Sequence, residues 1–208
     1  ASFEPTRRDG DPLRAGLDAA AGIDASGAAT SAFASPRLAR HSDGSALSDE
    51  DRAAIAENIL RGMSLTAGFA ELVAFVGHDA VVTNNPQAAG LACGACGGQS
   101  GEVNARVAAA LLNDAAVRAG LRARGIEIPA RTRFVGGLHD TVSDDVLLFP
   151  DAETERSHAL ALTQLKAAFA RAARRTRLER SALLGVEHET PAALAEALRL
   201  RGADWSEL

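Results

Sequence analysis

The segment that most constrains the fold of this chain runs from residue 71 to residue 113 and predicts a strand, a loop and a helix. Residues 72–76 are apolar and partly β-branched, which is typical of a buried strand. His78 and Asp79 come where that strand is expected to end. A helical pattern resumes over residues 102–112. The loop between strand and helix therefore begins with an imidazole and a carboxylate.

The same loop contains the chain's two cysteines, Cys93 and Cys96. Thiolate sulfur and imidazole nitrogen are good Zn²⁺ ligands, and a tetrahedral site takes three or four protein ligands. His78 and Cys93 are fifteen residues apart, a gap that a loop folding back on itself could close. The Cys-x-x-Cys pair by itself is compatible with metal binding, thiol–disulfide exchange or packing. We rank metal binding above redox, because glycine, glutamine and serine separate the pair from the helix.

Composition narrows the possible functions. A net charge of −5 argues against nucleic acid as a partner, because phosphate binding needs a basic face. No stretch approaches the ~20 apolar residues of a membrane span, and the first residues lack the apolar segment of a secretory signal. Two cysteines form no disulfide framework, so a reduced, cytoplasmic setting is expected.

Two regions are predicted. Residues 1–47 are rich in Ala, Gly, Ser, Asp and Arg, which predicts a low-complexity loop that is partly disordered. Residues 48–208 are predicted to form an α/β domain. The first residue is not Met, and a large aromatic residue stands close to the last one, so we expect the sequence to be an excerpt of a longer protein.

The fold class that the pattern predicts is α/β, with a mainly parallel sheet flanked by helices. Two strands, 72–76 and 133–138, each end in a His-Asp pair, His78-Asp79 and His139-Asp140. Ligands collect at the carboxyl ends of strands in open α/β sheets, so both pairs are expected to face one crevice. The other predicted elements are a helix from the N-cap Ser48 to residue 61, a helix over 101–124 that breaks near Asn113-Asp114, a strand over 145–149, and helices over 153–184 and 191–200.

The helix predicted over 153–184 is amphipathic. Its apolar side is expected to carry Leu162, Leu165, Phe169 and Ala172. The opposite side is expected to carry Lys166, Arg171, Arg174, Arg175, Arg177 and Arg180. A solvated face is the simpler interpretation of this basic run and the one we prefer. A docking surface for an acidic partner or for anionic lipid is the alternative.

Several polar residues are open to two interpretations. Asp79 and Asp140 could orient an imidazole or cap the turns that follow them. Arg106 could bind an anion or form a salt bridge. His139, His158 and His188 are interpreted as hydrogen-bonded structural residues, and Asn84, Asn85 and Gln99 as groups that satisfy loop backbone.

A set of motifs in a fixed order resembles one known family. The motifs are Gly77-His78, Asn84-Asn85-Pro86, Cys93-Gly94-Ala95-Cys96-Gly97-Gly98, Asn104-Ala105-Arg106 and His139-Asp140-Thr141. They are similar to the large, zinc-binding subunit of the two-component inorganic-carbon (bicarbonate) transporters, distant relatives of β-carbonic anhydrases. The resemblance runs from about residue 49 to residue 208, and it implies a partial β-carbonic-anhydrase-like fold.

The resemblance implies a role for particular residues. The family's zinc histidine matches His78 and its second zinc cysteine matches Cys93, whereas Cys96 is not a ligand by this comparison. The family's other two ligands belong to an upstream Cys-x-Asp-x-Arg motif, which this chain lacks. Asp79 also departs from the pattern, because a small residue is expected after the histidine.

The implied function is energy-coupled accumulation of inorganic carbon. A peripheral protein on the cytoplasmic face of the cell membrane would bind one Zn²⁺ and hydrate CO₂ to bicarbonate. It would work with a membrane-embedded, cation-translocating partner. Two alternatives stay open at this point: a soluble zinc carbonic anhydrase or hydrolase, and a thiol redox protein that uses Cys93 and Cys96.

Overall fold

The computed structural model describes Pro36, Leu38 and residues 45–82, 85–186 and 190–201. The loop predicted over residues 1–47 lies almost entirely outside these residues, as do Asn84 and His188. The helices are α1 Asp49–Gly62, α2 Ala88–Leu91, α3 Glu102–Asn113, α4 Ala115–Ala123, α5 Ala152–Ser157, α6 Ala159–Leu184 and α7 Pro191–Arg201. The strands are β1 Leu72–Asp79, β2 Arg133–Asp140 and β3 Val146–Phe149. None of the described helices combines the length and apolar character needed to cross a membrane.

The three described strands form one mixed sheet in the order β1-β2-β3. Strand β1 pairs with β2 in parallel, and β2 pairs with β3 in antiparallel orientation. The prediction of a mainly parallel sheet is therefore wrong. Only residues 141–145 connect β2 to β3, and a link this short permits a hairpin but no parallel crossover.

Each face of the sheet packs against different helices. Side chains alternate along a strand, so Val73, Phe75 and Phe134 lie on one face, in the core shared with α1, α3 and α4. The Phe75 and Phe134 rings stack with their centroids 5.6 Å apart. Val135 lies on the other face and packs against Leu162 of α6. The pairing of helices with both faces confirms the α/β class.

Helix α1 begins and ends close to its predicted bounds. Ser48 and Asp51 form a reciprocal capping box, in which each side chain accepts a hydrogen bond from the other's backbone N–H. Leu60 is fully buried on the inner side. The local signals that predicted this helix are therefore confirmed.

The predicted break between α3 and α4 is also confirmed. Asp114 caps α4, accepting hydrogen bonds from Ala116 N–H and Val117 N–H. The preceding residue, Asn113, turns to the sheet: its Nδ2 donates to Phe134 O over 2.8 Å, and its Oδ1 accepts from Phe134 N over 3.0 Å. Strand β3 pairs only with residues 136–139 of β2. The Asn113 amide therefore takes the place of a strand partner for Phe134.

The predicted helix over residues 153–184 is interrupted at His158, so the expectation of one continuous helix is wrong. His158 adopts φ −127° and ψ 25°, outside the helical region. Its Nε2 lies 2.9 Å from Arg131 O, two residues before β2 begins. This hydrogen bond confirms the structural role expected for His158 and fixes the bend between α5 and α6.

Two residues of the predicted basic face of α6 pack against the β2–β3 turn, Arg177 buried and Arg180 half-buried. Arg177 is only 8% exposed and donates to Ser143 O over 2.6 Å. Arg180 donates to Asp144 Oδ2 over 2.6 Å and to Thr141 O over 3.0 Å. The prediction was wrong for these two because the β2–β3 turn presents buried carbonyl and carboxylate oxygens to α6. The prediction was also wrong for Ala172, which is exposed; Ala173 is buried in its place.

The start of α3 lies directly against the end of β1. Gly101 N donates to His78 O over 3.0 Å. A Cβ at Gly77 would lie 2.2 Å from Gly101 O, and a Cβ at Gly101 would lie 2.8 Å from His78 N. Two glycines therefore permit a backbone-to-backbone approach that side chains would prevent.

Asn113→Ala is expected to lower the free energy of unfolding by about 2–4 kcal/mol, because two backbone groups of the buried Phe134 lose their partners. Urea denaturation of both proteins measures this difference. Asn104→Ala is the matched control, since Asn104 is exposed on the same helix; it should cost less than about 0.5 kcal/mol. Equal losses in the two variants would contradict the role given to Asn113.

Gly77→Ala is expected to destabilise the protein by about 1–3 kcal/mol, because the new methyl group would overlap the Gly101 carbonyl. Thermal unfolding monitored by circular dichroism would detect the loss. Gly94→Ala serves as control, because no atom lies within 4 Å of the Cβ position there. An unchanged melting temperature for Gly77→Ala would show that the approach is looser than described.

Candidate metal centre

The two His-Asp pairs end neighbouring parallel strands in matching positions. His78 pairs with His139, and Asp79 pairs with Asp140. Residues paired in this way in parallel strands project to the same face of the sheet. Both pairs therefore lie at the carboxyl end of the sheet, the two histidines on one face and the two aspartates on the other; that they face one crevice stays a prediction. The side chain of His78 is exposed.

Asp140 holds together the chain segments that leave β1 and β2. Its Oδ1 accepts hydrogen bonds from Val81 N over 3.0 Å and Val142 N over 3.1 Å. Its Oδ2 accepts from the Ser143 hydroxyl over 2.5 Å. Asp79 Oδ1 accepts from Ala80 N over 2.8 Å. Of the two interpretations of these aspartates, turn capping is the one that these contacts support.

His139 is held from the side of the β2–β3 turn. Its Nε2 lies 3.4 Å from Asp144 Oδ1. Asp144 is buried and adopts φ +61°, a conformation that is uncommon outside glycine. Arg180 compensates the buried carboxylate of Asp144. The structural role expected for His139 is thus supported by its hydrogen bond.

The Cys93 loop returns to the end of β1. Cys93 is buried, and its N–H donates to Gln99 O over 3.2 Å. A 3₁₀ turn at Gly94–Cys96 is followed by Gly97 at φ +66° and Gly98 at φ +78°, which reverse the chain. Two residues after Gln99, Gly101 donates to His78 O. The loop therefore returns to the carboxyl end of β1, where its last residue, Gly101, bonds the backbone of His78 and the charge of Asp79 acts on the Cys93 thiol.

The two thiols of this loop have opposite pKa shifts. The Cys93 pKa is lowered, chiefly by a hydrogen bond from the Cys96 thiol and further by the backbone N–H groups of Cys96 and Ala95; burial and the charge of Asp79 oppose this. The Cys96 pKa is raised, mainly by its bond to Cys93, although Asn104 Nδ2 donates to Cys96 Sγ over 3.2 Å. Of the two thiols, Cys93 therefore gives up its proton more readily to form the thiolate that binds metals.

The donor set fits part of a zinc site. A cysteine thiol with a lowered pKa and an exposed imidazole are both ligands of the type that Zn²⁺ takes. Within residues 45–82, 85–186 and 190–201, no three His, Cys, Asp or Glu side chains converge in a way that could hold a metal ion. His78 and Cys93 could therefore supply two donors, and a tetrahedral site would need others.

Other polar residues near this end of the sheet have structural partners. Arg106 forms a buried ion pair with Glu102 at 2.6 Å, and its guanidinium carbon lies 5.1 Å from the Phe149 ring centroid. The salt-bridge interpretation of Arg106 thus holds, but the pair is buried rather than on the surface. Asn85 Oδ1 accepts from Gln87 N over 2.8 Å, as expected of a loop residue. Its buried Nδ2 has no hydrogen-bond partner in the described part of the chain.

Sequence reasoning missed two features of this region. The first is Glu102, whose spacing of four residues from Arg106 was the available signal for the ion pair. The second is the approach of Gly101 to Gly77. A single sequence contains no signal for that contact, because glycine is equally common in open loops.

Comparisons with known proteins agree on one family. The family model described as "Probable inorganic carbon transporter subunit DabA" matches residues 15–208. A DabA subunit of Bradyrhizobium sp. strain ORS 278 is 54% identical over 160 residues, covering 77% of this chain and 19% of the relative. One from Roseiflexus castenholzii is 49% identical over 162 residues, covering 78% of this chain and 19% of the relative. No solved structure matches the chain.

The chain thus spans about a fifth of the length of these curated relatives. The match nevertheless extends over almost all of the chain and includes the strand end with His78 and the Cys93 loop. On this evidence the chain belongs to the DabA family of probable inorganic carbon transporter subunits.

Proposed function

We propose that this chain provides His78 and Cys93 to a zinc site in the subunit of an energy-coupled inorganic-carbon transporter. The whole protein would hydrate CO₂ to bicarbonate and accumulate it in the cytoplasm. It would lie peripherally on the cytoplasmic face of the cell membrane, beside a membrane-embedded, cation-translocating partner. The observation that supports this proposal is the return of the Cys93 loop to the end of β1, where Gly101 N donates to His78 O.

Bound Zn²⁺ would supply the acidity that ionises water at neutral pH, which is the chemistry of CO₂ hydration. The chain's own residues have preparatory roles. Hydrogen bonds from Cys96 and Ala95 stabilise the Cys93 sulfur as an anion before any metal arrives. Asp140 fixes the direction in which the chain leaves β1. These contacts limit the reorganisation needed to bring the two donors together.

Two further donors are required, and the resemblance assigns them to a Cys-x-Asp-x-Arg motif that this chain lacks. In that scheme the Cys and the Asp of the motif would hold the metal together with His78 and Cys93, and the Arg would hold the Asp. We therefore expect the chain alone to be incompetent in CO₂ hydration. The β-carbonic-anhydrase-like fold belongs to the same proposal.

One observation favours a second candidate function, thiol–disulfide exchange. In Cys93-x-x-Cys96 one pKa is lowered and the other raised, as happens in pairs that exchange disulfides. Full zinc content in the whole protein together with its loss on Cys93 substitution would argue against this candidate. A soluble zinc carbonic anhydrase would hydrate CO₂ without the membrane partner, and this activity would distinguish it from the proposed transporter subunit.

The full-length protein is expected to bind about one zinc ion per chain, given a single site of four ligands. His78→Ala and Cys93→Ala should each remove most of the metal, whereas Cys96→Ala should retain it. Elemental analysis of the purified proteins measures the zinc content. Cys96→Ala is the matched control, because it removes a thiol from the same loop. Full zinc content in either of the first two variants would refute the ligand assignment.

Growth at ambient CO₂ is expected only when the full-length protein is produced together with its membrane partner. The physical reason is that an uncoupled site would also dehydrate accumulated bicarbonate. Growth of a strain that lacks carbonic anhydrase measures this dependence, with His78→Ala as the inactive control. If the purified protein hydrated CO₂ without its partner, the result would favour the soluble-enzyme alternative instead.

A further inference from the structure

Helix α6 has a second side that the sheet does not use. Leu162, Leu165 and Phe169 pack on the sheet. A different row of residues runs along the opposite side at helical spacings of seven, four, three and four, which place them on one face. This outer face of α6 consists of Leu160, Ala167, Arg171, Arg174 and Leu178, with Arg175 beside Arg174, and all six side chains are exposed.

The arginines of the outer face have no carboxylate partners in the described part of the chain. Arg171, Arg174 and Arg175 appear in no ion pair there, and neither does the neighbouring Lys166. Exposed arginines elsewhere differ in this respect: Arg122 pairs with Glu127 at 3.8 Å, Arg131 with Glu71 at 3.6 Å, and Arg156 with Glu153 at 2.5 Å. Uncompensated positive charge is thus concentrated on one helix face of a chain whose net charge is −5.

Apolar side chains stand at both ends of this charged row. Leu160 is 72% exposed and Leu178 is 56% exposed, large fractions for leucine. The two lie about 27 Å apart along the helix axis at 1.5 Å per residue. Basic residues clustered on an exposed helix face are attracted to anionic phospholipid headgroups, and the two exposed leucines add apolar surface to the same face. Protein interfaces rely more on aromatic anchors in pockets, and this face has none.

We propose that the outer face of α6 docks on the anionic phospholipid headgroups of a membrane surface. The guanidinium groups would bind phosphate oxygens, and Leu160 and Leu178 would enter the headgroup region. The choice of a membrane over an acidic protein rests on the proposed transporter function. Three arginines give weak and reversible binding, so this contact orients the subunit and does not anchor it.

Docking through α6 would also fix the orientation of the candidate metal centre relative to the membrane surface. The inner side of the same helix holds the β2–β3 turn through Arg177 and Arg180. That turn begins directly after His139 and Asp140, at the edge where His78 lies. The helix therefore joins the membrane-facing surface to the carboxyl end of the sheet through direct hydrogen bonds.

Cosedimentation of the full-length protein with lipid vesicles tests the proposal. Vesicles of phosphatidylcholine with phosphatidylglycerol are compared with vesicles of phosphatidylcholine alone. The triple variant Arg171→Gln, Arg174→Gln, Arg175→Gln should bind the anionic vesicles about a hundredfold more weakly than the unmodified protein. The matched control is Arg122→Gln, Arg131→Gln, Arg156→Gln, which removes the same charge elsewhere and should change binding by less than about twofold.

Salt dependence gives a second readout that needs no variant: binding of the unmodified protein to anionic vesicles should weaken steeply as salt is raised. Equal binding to both vesicle types, or equal losses in the two triple variants, would overturn the proposal. The proposal would also be overturned if the α6 triple variant bound vesicles as well as the unmodified protein but bound the purified membrane partner more weakly. The outer face of α6 would then dock on an acidic protein. Zinc content separates the two proposals, because the α6 variant should retain its metal whether or not it binds membranes.

Discussion

The contact between two backbones at Gly77 and Gly101 is the constraint on which the rest of this site depends. His78, one of the two proposed ligands, lies near the end of strand β1, and Cys93, the other, lies fifteen residues further along the chain. The loop can return only because no side chain separates Gly101 from the strand. Its hydrogen bond to His78 O then fixes the start of α3. The close approach of the two glycines therefore closes the loop between them, which includes the Cys93 turn.

The carboxyl end of the sheet is stabilised largely by polar groups. Asp140 accepts hydrogen bonds from both chain segments that leave the parallel strands, and the buried Asp144 is compensated by Arg180. Buried polar groups are costly unless they are paired, so satisfied pairs of this kind favour a single arrangement of the turn. An edge fixed in this way is suited to presenting ligands, because the donors need little reorganisation when a metal binds.

The position of His78 on β1 agrees with the proposal that the site is completed by other parts of the protein. The chain spans about a fifth of its curated relatives, and its described residues offer two donors rather than four. The hydrogen bonds that lower the Cys93 pKa would favour metal binding in such a shared site, because the thiol must lose its proton to bind the metal. The membrane-facing role proposed for α6 would place this half relative to the lipid surface.

Local signals in the sequence determined most of the elements. The capping box at Ser48, the break at Asp114, the α/β class and the His-Asp strand ends all follow from patterns of a few residues, and the structure confirms them. The bend at His158, the burial of Arg177 and the ion pair of Arg180 with Asp144 were decided by tertiary structure. Each depends on a hydrogen-bonding group distant in sequence, such as the Arg131 carbonyl or the β2–β3 turn. Periodicity reports which side of an element is apolar, but it carries no information about which distant polar atoms will meet that element once the chain is folded.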